Sequence, residues 1–402
     1  MVIDRRYSCL EAFSMKSNLW LVLGCLLFSV AGCSSTAAQE QGLPHYQVDP
    51  SWPKELPNNW IMGHATGLFV DKQDHIWLVH RVRTLLPDEI GASLDPPRSE
   101  CCVPAPSVLE FDTEGNLLKT WGQQGYVPEW PNGEHGIYVE TDGSIWIAGN
   151  NQPSQQPGAL LPDRQVLKFS ADGKLLLEIG HRTDAPINNQ DTTMLGAASD
   201  MFVDEAAHEV YIADGYMNRR IVVYDSNTGA FKRGWGAYGI PLSEIDNGPR
   251  LDYNPAGPPP KQFGALGYPV RAGVVIDVDI SNDGLVYVSD RGGNRVQVFT
   301  KEGKFVKEFR IHPKTLGQYG SAWSTAFCCD AKERFLYIGD GENSVIHVLN
   351  RDDGTELGEI GNRGRQIGMF DGLEHVAMDS KGNLYTGDVT PGRRFQKFVP
   401  VR

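Results

Sequence analysis

The most constraining feature of the sequence is a pattern of strands and turns that returns six times. The clearest copies are ADGYMNRRIVVY at residues 213–224 and LVYVSDRGGNRVQVF at residues 285–299. Each copy contains an aliphatic residue followed by an aromatic residue, then a polar turn and another strand. The six pairs are Ile76-Trp77, Ile145-Trp146, Val210-Tyr211, Val286-Tyr287, Leu336-Tyr337 and Leu384-Tyr385. One such unit cannot bury its apolar face alone, so the copies must pack against one another.

The surroundings of the pairs indicate four antiparallel strands in each copy. A strand such as GLFVD or GIYVE precedes each pair, and a strand such as VLEF or VQVF follows it. Helical periodicity is absent after the leader. We therefore predict an all-β protein, a six-bladed β-propeller. The sixth copy stops at its third strand, residues 395–398, so we expect residues 45–48 to supply the outer strand and close the ring.

The first 33 residues are predicted to be a targeting segment. Residues 19–32 form an apolar run that is too short to span a membrane comfortably. The run ends in VAGCSS, which resembles a bacterial lipobox with Cys33 as the lipidated residue. Met15 is a better signal start than Met1, so residues 1–14 could lie before the true start. An ordinary signal peptide that releases a soluble protein is the alternative.

The domain prediction follows from this leader. Residues 34–44 are expected to be a tether, and residues 45–402 the propeller. We expect an exported protein held by its lipid in the bacterial cell envelope, in the periplasm or at the outer membrane. The net charge of −13 without a basic cluster argues against nucleic acid as a partner.

Four cysteines follow the leader, in two adjacent pairs. They are Cys101, Cys102, Cys328 and Cys329. An even number in an exported protein suggests disulfides. Each pair could form its own bridge, or the two pairs could be cross-linked. A metal site would normally need a two-residue gap, which both pairs lack.

The blade topology predicts that polar residues collect on one face of the ring. The starts of the inner strands and the loops after the second strands meet there, together with insertions at residues 82–107, 149–164 and 236–270. Such clustered insertions usually mark the binding face. The candidate residues on this face are Arg81, His135, Asp200, Tyr216, Asp277, Glu374 and His375. This inventory suits a divalent metal ion or a polar small molecule.

Other polar residues of the repeat have a simpler explanation. Asp after a strand accepts hydrogen bonds from turn N–H groups, and Arg ties neighbouring blades together. We expect such structural roles for Asp290, Arg291, Asn294, Arg295, Asp340 and Asp388. We expect surface or packing roles for His64, His75, His181, His208, His312 and His347. Tyr216 differs, because a large phenol at the channel mouth has no evident part in the turn.

These residues resemble a known family. The units are similar to NHL repeats, and the best match is to peptidyl-α-hydroxyglycine α-amidating lyases (peptidylamidoglycolate lyases), which are six-bladed propellers. The segments ADGYMNRRIVVY, LVHR and EHGIYVETDG carry the resemblance to the enzyme. The resemblance implies that Tyr216 is the catalytic base, that Arg81 is the family's arginine, and that His135 is the first of three zinc-binding histidines.

The zinc positions depart from the family pattern. The second position falls on Ile276, with Asp277 adjacent, and the third falls on Glu374, with His375 adjacent. Carboxylate can replace imidazole on zinc, but Ile cannot. A one-residue register shift changes the face on which a side chain lies. A zinc site through His135, Glu374 and an aspartate, a calcium site, and no metal at all remain open.

The resemblance also implies a reaction and a substrate. A lyase would cleave the C–N bond of a carbinolamide at a peptide C-terminus and release glyoxylate, with Tyr216 taking the hydroxyl proton after the metal and Arg81 have lowered its pKa. A first alternative is a non-catalytic propeller that binds a peptide, glycan or protein on its loop-rich face through Tyr126, Trp130 and Tyr238. A second alternative is a metal-dependent hydrolase of a lactone-like substrate.

Overall fold

The computed structural model describes residues 43–401 except residues 124, 155, 157, 251 and 265–273. The predicted targeting segment, with Cys33, lies outside the described residues. No helix in the described part of the chain is long and apolar enough to cross a membrane.

Six four-stranded antiparallel sheets form the blades of a propeller. The strands are β1 (His45–Asp49), β2 (Trp60–Ile61), β3 (His64–Val70), β4 (Ile76–Arg81), β5 (Val103–Pro104), β6 (Val108–Phe111), β7 (Leu117–Trp121), β8 (Glu134–Val139), β9 (Ile145–Gly149), β10 (Gln165–Phe169), β11 (Leu175–Gly180), β12 (Asp200–Asp204), β13 (Glu209–Asp214), β14 (Arg220–Asp225), β15 (Phe231–Trp235), β16 (Val275–Ile280), β17 (Val286–Asp290), β18 (Arg295–Phe299), β19 (Phe305–Arg310), β20 (Ser324–Phe327), β21 (Phe335–Asp340), β22 (Val345–Asn350), β23 (Glu356–Ile360), β24 (Leu373–Met378), β25 (Leu384–Asp388) and β26 (Arg394–Val401). Short 3-10 helices lie in the connections, at Pro57–Asn59, Val82–Thr84, Gly91–Ser93, Ala237–Gly239, Leu242–Glu244 and Arg291–Gly293.

The blades follow one another along the chain. Their strand orders are β3-β4-β6-β7, β8-β9-β10-β11, β12-β13-β14-β15, β16-β17-β18-β19, β20-β21-β22-β23 and β24-β25-β26-β1. The first strand of each blade contacts the first strands of both neighbouring blades, and β24 contacts β3, which closes the ring. The remaining two strands, β2 and β5, form a small parallel pair beside the first blade. The predicted six-bladed all-β fold is confirmed.

The second strands carry the aliphatic–aromatic pairs of the repeat. All six predicted pairs lie in the second strand of a blade, and Tyr211, Tyr287 and Tyr385 are completely buried there. In β13 every residue is buried, because a blade in a ring is covered by a neighbour on each face. Full burial of one such side chain stabilises the fold by about 1.5–3 kcal/mol. The repeat is therefore the core of the protein.

The N-terminal strand completes the sixth blade, as predicted. Strand β1 pairs antiparallel with β26, with His45 opposite Val401 and Asp49 opposite Lys397. The hydroxyl groups of Tyr46 and Tyr337 lie 3.0 Å apart, which joins this outer strand to the fifth blade. The strand covers the backbone edge that β26 would otherwise expose.

The first strands of four blades share a backbone irregularity. The pairing register shifts between Ala65 and Gly67, between Glu134 and Ile137, between Val275 and Asp277, and between Leu373 and His375. A β-bulge of this kind places two residues opposite one, and bulges often re-aim side chains near functional sites. The residues within these shifts include His135, Ile276 and Glu374, which are the three positions aligned with zinc ligands.

The four cysteines after the leader comprise one disulfide and two free thiols. Cys101 and Cys102 form a disulfide with each other in the insertion at residues 82–107. Cys328 is a buried free thiol and Cys329 is an exposed free thiol. Of the pairings that the sequence left open, the structure has one adjacent bridge and two reduced cysteines.

Candidate functional site

A cavity of about 720 Å³ opens where the inner strands begin and the second strands end. Its charged and polar lining residues are His64, Arg81, Gln152, Tyr216, Arg291, Gln318, Glu342, Arg363, Asp371, Glu374 and Thr390. An apolar wall is formed by Trp323, Val389 and Pro391, beside Tyr319. Strands β3 and β4 of the first blade, the insertion at residues 149–164 and the links around the fifth and sixth blades all contribute. This is the face that the topology predicted for function.

His135 is oriented by the backbone of the next blade. Its Nδ1 lies 2.6 Å from the carbonyl oxygen of Ser199. Because a carbonyl only accepts hydrogen bonds, Nδ1 carries the hydrogen and Nε2 presents its lone pair. That Nε2 lies 3.0 Å from the hydroxyl oxygen of Tyr216 and 3.2 Å from Oε1 of Glu374. Burial lowers the pKa of His135, which favours the neutral imidazole.

Glu374 faces the same nitrogen with a carboxylate. Burial opposes ionisation of Glu374, yet the neighbouring His135 and His375 hold the pKa of its carboxyl at about 2. The other oxygen, Oε2, is buried and has no hydrogen-bond partner among the residues that the structure describes. Two lone-pair atoms 3.2 Å apart repel each other unless a proton or a metal ion lies between them. The pair therefore forms a cation-binding edge.

This edge fits two neighbouring ligands of a divalent metal ion. Zinc bonds to nitrogen and oxygen are about 2.0–2.2 Å long, so two ligand atoms at a tetrahedral angle lie about 3.3–3.5 Å apart. Nε2 of His135 and Oε1 of Glu374 are 3.2 Å apart, and Oε2 of Glu374 remains free to bind. The residues therefore fit a metal ion held by two protein ligands and open to the cavity.

The bulge in β24 brings His375 beside Glu374 at the channel. Its ring centre lies 5.9 Å from that of His135. Its Nε2, however, lies 3.0 Å from the carbonyl oxygen of Thr66 and points away from the pair. Burial lowers the pKa of His375 to about 4, so this imidazole is neutral at physiological pH. Ile276, the residue at the second zinc position, belongs to the apolar cluster that packs against Tyr216.

The two predicted aspartates lie in a second cavity of about 200 Å³ along the channel. Asp277 accepts hydrogen bonds from the backbone N–H of Thr325 at 2.9 Å and from its hydroxyl at 2.8 Å. Burial raises the pKa of Asp200, and the charge of Asp277 raises it further. Asp279 lines the same cavity. The five residues predicted as metal ligands therefore fall into two groups.

Two arginines lower the pKa of the Tyr216 phenol. Arg81 donates from Nε to the carbonyl oxygen of Glu134 at 2.7 Å and from Nη2 to Oδ1 of Asn150 at 2.5 Å. The guanidinium carbon of Arg291 lies 5.8 Å from the ring centre of Tyr216. Burial raises the pKa of Tyr216 and the carboxylate of Glu374 raises it further, while both arginines lower it. The expected lowering of this pKa is not seen with the protein residues alone, because burial outweighs the arginines.

Sequence reasoning missed two residues of the site. Arg291 was expected to be structural, yet its guanidinium lies 4.3 Å from the ring centre of Trp323 and faces the cavity. It stands four residues after the aromatic residue of its pair, as Arg81 does, and this shared position was the available signal. Arg250, from the insertion at residues 236–270, donates from Nη2 to the carbonyl oxygens of Gly215, Tyr216 and Asn218 at 2.7, 3.0 and 2.9 Å. No sequence pattern indicates that contact.

Other predictions about single residues met different outcomes. Asp290 and Arg295 form a buried ion pair at 2.9 Å, which confirms their structural role. The aromatic binding surface was wrong, because Trp130 is completely buried and Tyr126 packs against it with ring centres 5.7 Å apart. Tyr238 lies elsewhere and donates a hydrogen bond to Glu308. Tyr126 is 41% exposed, but Trp130 is buried and Tyr238 lies apart from both, so the three rings do not form a shared surface.

Comparison with known proteins places this geometry in context. No family model matches the chain. The chain is 24% identical over 350 residues to "Peptidyl-glycine alpha-amidating monooxygenase B" of Xenopus laevis, a match that covers 86% of the chain and 34% of that protein. It is 21% identical over 308 residues to human "NHL repeat-containing protein 3", covering 74% of the chain and 73% of that protein.

Among solved structures, a streptogramin B lyase aligns with a TM-score of 0.49 at 12% identity, over 89% of the chain and 98% of that structure. The chain spans about a third of the length of the amidating relatives that it matches. The protein is a six-bladed β-propeller that resembles, at low sequence identity, the amidating enzymes and an NHL-repeat protein.

Proposed function

We propose that the cavity cleaves the C–N bond of an α-hydroxyglycine residue at a peptide C-terminus and releases glyoxylate and a peptide amide. One observation carries the proposal: the hydroxyl oxygen of Tyr216 lies 3.0 Å from Nε2 of His135, and the charges of Arg81 and Arg291 both lower the pKa of that phenol. The similarity to enzymes named for peptidylglycine α-amidation supports a reaction on the C-terminus of such peptides.

The cavity has the charges that such a substrate requires. Arg81, Arg291 and Arg363 line it, and guanidinium groups recognise carboxylates through paired hydrogen bonds. The terminal carboxylate of the substrate would bind beside Tyr216, between the first two arginines. The preceding peptide would lie along the apolar wall that contains Trp323. A volume of about 720 Å³ accommodates a few residues and not a folded protein.

The protein residues then take one proton from the substrate hydroxyl and return one proton to the substrate nitrogen. The phenolic oxygen of Tyr216 takes the proton of the substrate hydroxyl while its own proton passes to Nε2 of His135. The electron pair of the O–H bond forms the carbonyl of glyoxylate, and the C–N bond breaks with its electron pair on nitrogen. The same proton returns through Tyr216 to that nitrogen, which leaves as the amide. Glu374, 3.2 Å from Nε2, stabilises the transient imidazolium.

The same edge would hold a divalent metal ion, zinc or calcium, through His135 and Glu374. Such an ion would supply positive charge that lowers the pKa of Tyr216 and of the substrate hydroxyl, in place of the protonated imidazole. Tyr216 keeps its role as the group that receives the substrate proton in either case.

The test is release of glyoxylate from a peptide that ends in α-hydroxyglycine, by the purified protein with EDTA, zinc or calcium. Tyr216→Phe removes the relay oxygen, and we expect a loss of at least about a hundredfold in kcat. Tyr319→Phe is the matched control, because it removes another phenol beside the same cavity, and it should keep activity. Equal release by wild type and Tyr216→Phe would refute the proposal. So would no release under all three conditions.

A separate proposal concerns the location of the protein and its partners. We propose that the protein is exported and anchored in the cell envelope through lipid on Cys33, a proposal supported by the VAGCSS segment. The substrate would be a peptide C-terminus, and the membrane would be contacted only through the lipid. Labelling with a fatty acid tests this: the label should disappear in Cys33→Ser, and labelling that persists would contradict it.

A further inference from the structure

A cluster of two histidines and two glutamates lies in the fifth blade, apart from the cavity. His347 lies in β22, Glu356 and Glu359 lie in β23, and His312 lies in the link between the fourth and fifth blades. One ligand atom from each of the four residues lies within 4.8 Å of the other three. Nδ1 of His347 is 2.8 Å from Oε1 of Glu356, and Nε2 of His312 is 3.1 Å from Oε1 of Glu359.

The strand pairing brings two of these side chains together. His347 and Glu359 lie directly opposite each other in the β22–β23 ladder, and Nδ1 of His347 is 3.6 Å from Oε1 of Glu359. Opposite residues in antiparallel strands have their side chains on the same face. Their proximity is therefore a property of the hairpin backbone and not of one side-chain conformation.

A buried carboxylate lies behind both imidazoles. Oδ2 of Asp340 is 3.1 Å from Nε2 of His347 and 3.6 Å from Nδ1 of His312. Asp340 is completely buried and His347 is 1% exposed. With the Nε2 hydrogen of His347 donated to Asp340, its Nδ1 turns a lone pair toward the glutamates. Metal-binding histidines in proteins are usually oriented by a carboxylate in this way.

The backbone of His312 is held in an unusual conformation. Its φ is 38°, in the left-handed region, and its carbonyl accepts a hydrogen bond from the backbone N–H of Thr315 at 2.9 Å. Residues other than glycine rarely take this conformation, and active sites and ligand-binding sites are among the places where it is retained. The conformation places the His312 ring at 4.3 Å from that of His347, centre to centre.

We propose that His312, His347, Glu356 and Glu359 bind one zinc ion. Two imidazole nitrogens and two carboxylate oxygens are a complete tetrahedral donor set for zinc. The donor atoms, which all lie within 4.8 Å of one another, must come to about 3.3–3.5 Å from one another around the ion. Glu356 and Glu359 can make this movement, because their side chains are 45% and 42% exposed.

A zinc ion at this position would join the link to the outer hairpin of the fifth blade. The link continues from His312 to Tyr319 and Trp323, which line the large cavity. The ion would thus hold one wall of the cavity from outside, independently of the residues that carry the proposed reaction. Without zinc, a second proton on the His347 imidazole would form the hydrogen bond to the same carboxylates. Measurement of bound zinc distinguishes the zinc-bound cluster from the protonated one.

The experiment counts zinc bound to the purified chain after treatment with EDTA and return of zinc alone. It is done with His135→Gln present throughout, so that an ion in the cavity is not counted. We expect one zinc ion per chain, and none with His312→Ala or Glu359→Gln added. Both of these variants change partly exposed side chains, so the fold is retained. His181→Ala, which removes an exposed histidine outside the cluster, should leave the count at one.

Thermal unfolding provides the second readout. A ligand that binds only the folded chain raises the Tm in proportion to its affinity and concentration. Zinc should raise the Tm by several degrees in the His135→Gln chain and in its His181→Ala derivative, and this rise should disappear with His312→Ala or Glu359→Gln. Equal zinc counts and equal Tm rises in all of these chains would overturn the proposal. So would the absence of bound zinc from the His135→Gln chain at micromolar zinc.

Discussion

Replacement of Gly215 by alanine tests whether the position of Tyr216 matters. Gly215 precedes Tyr216 directly, and a Cβ at Gly215 would lie 1.8 Å from the carbonyl oxygen of Val275 in the neighbouring blade. Since side-chain carbons keep at least about 3.0 Å from such atoms, the loop or strand β16 must move by about 1.2 Å. Such a movement takes the Tyr216 hydroxyl, now 3.0 Å from His135, beyond hydrogen-bond distance.

Two quantities should change in Gly215→Ala. The free energy of unfolding should fall by about 1–3 kcal/mol, the usual cost of forcing extra volume into packed structure. The kcat for glyoxylate release should fall by about a hundredfold, because an error of 1 Å in the placement of a catalytic group has this effect. Steady-state kinetics with the α-hydroxyglycine peptide and urea unfolding at neutral pH measure the two effects separately.

The control is Gly257→Ala in the insertion at residues 236–270, where an added Cβ comes closest to the side chain of Asn254, at 3.1 Å. A flexible side chain can move away, so stability and kcat should stay near those of wild type. If Gly215→Ala folds and keeps its kcat, the placement of Tyr216 does not limit the reaction and the reasoning is refuted.

Three further predictions concern positioning, pH and ring closure. Arg250→Met removes the guanidinium that holds the backbone around Tyr216, so kcat should fall about tenfold while KM stays nearly unchanged. Steady-state kinetics measures both, and a change in KM alone would contradict the prediction. Burial lowers the pKa values of His80 and His375 from 6.5 to about 4, so the unfolded chain takes up protons first as the pH falls. Urea unfolding should show stability lost below pH 6.5, by about 2 kcal/mol per histidine at pH 5, and equal stability at pH 7.5 and 5 would contradict this. Removal of residues 1–50 deletes β1 and exposes the edge of β26, so size-exclusion chromatography should show association and the Tm should fall; a monomer with unchanged Tm would contradict this.

The sequence was sufficient to predict the fold because the repeat is also the core. Pairs such as Val210-Tyr211 mark the second strand of every blade, and their burial between neighbouring blades requires the same residue types each time. Ring closure by residues 45–48 followed from the rule that a sheet edge must be covered, and the strand extends one residue further, to Asp49. The same alignment brought out His135, Tyr216 and Glu374, which meet in the structure.

The rest of the site could not be predicted, for identifiable physical reasons. Alternation in a strand implies that Glu374 and His375 point to opposite faces, and the bulge that changes this has no recognisable residue pattern. Arg250 reaches Tyr216 from an insertion, and such a contact depends on the path of a loop. Similarly, His312 and His347 were expected to be surface or packing residues, because their carboxylate neighbours become evident only in the folded hairpin and link.

The bulges also affect how proteins of this kind can diverge. A bulged inner strand offers two consecutive positions from which a side chain can reach the channel, as Glu374 and His375 show. A blade can therefore exchange one channel-facing residue for its neighbour without any change in the apolar repeat that folds it. In a position-by-position comparison of sequences, such an exchange looks like the loss of a ligand residue. A propeller can thus lose the ligand at an aligned position and still place a metal-binding side chain beside the channel.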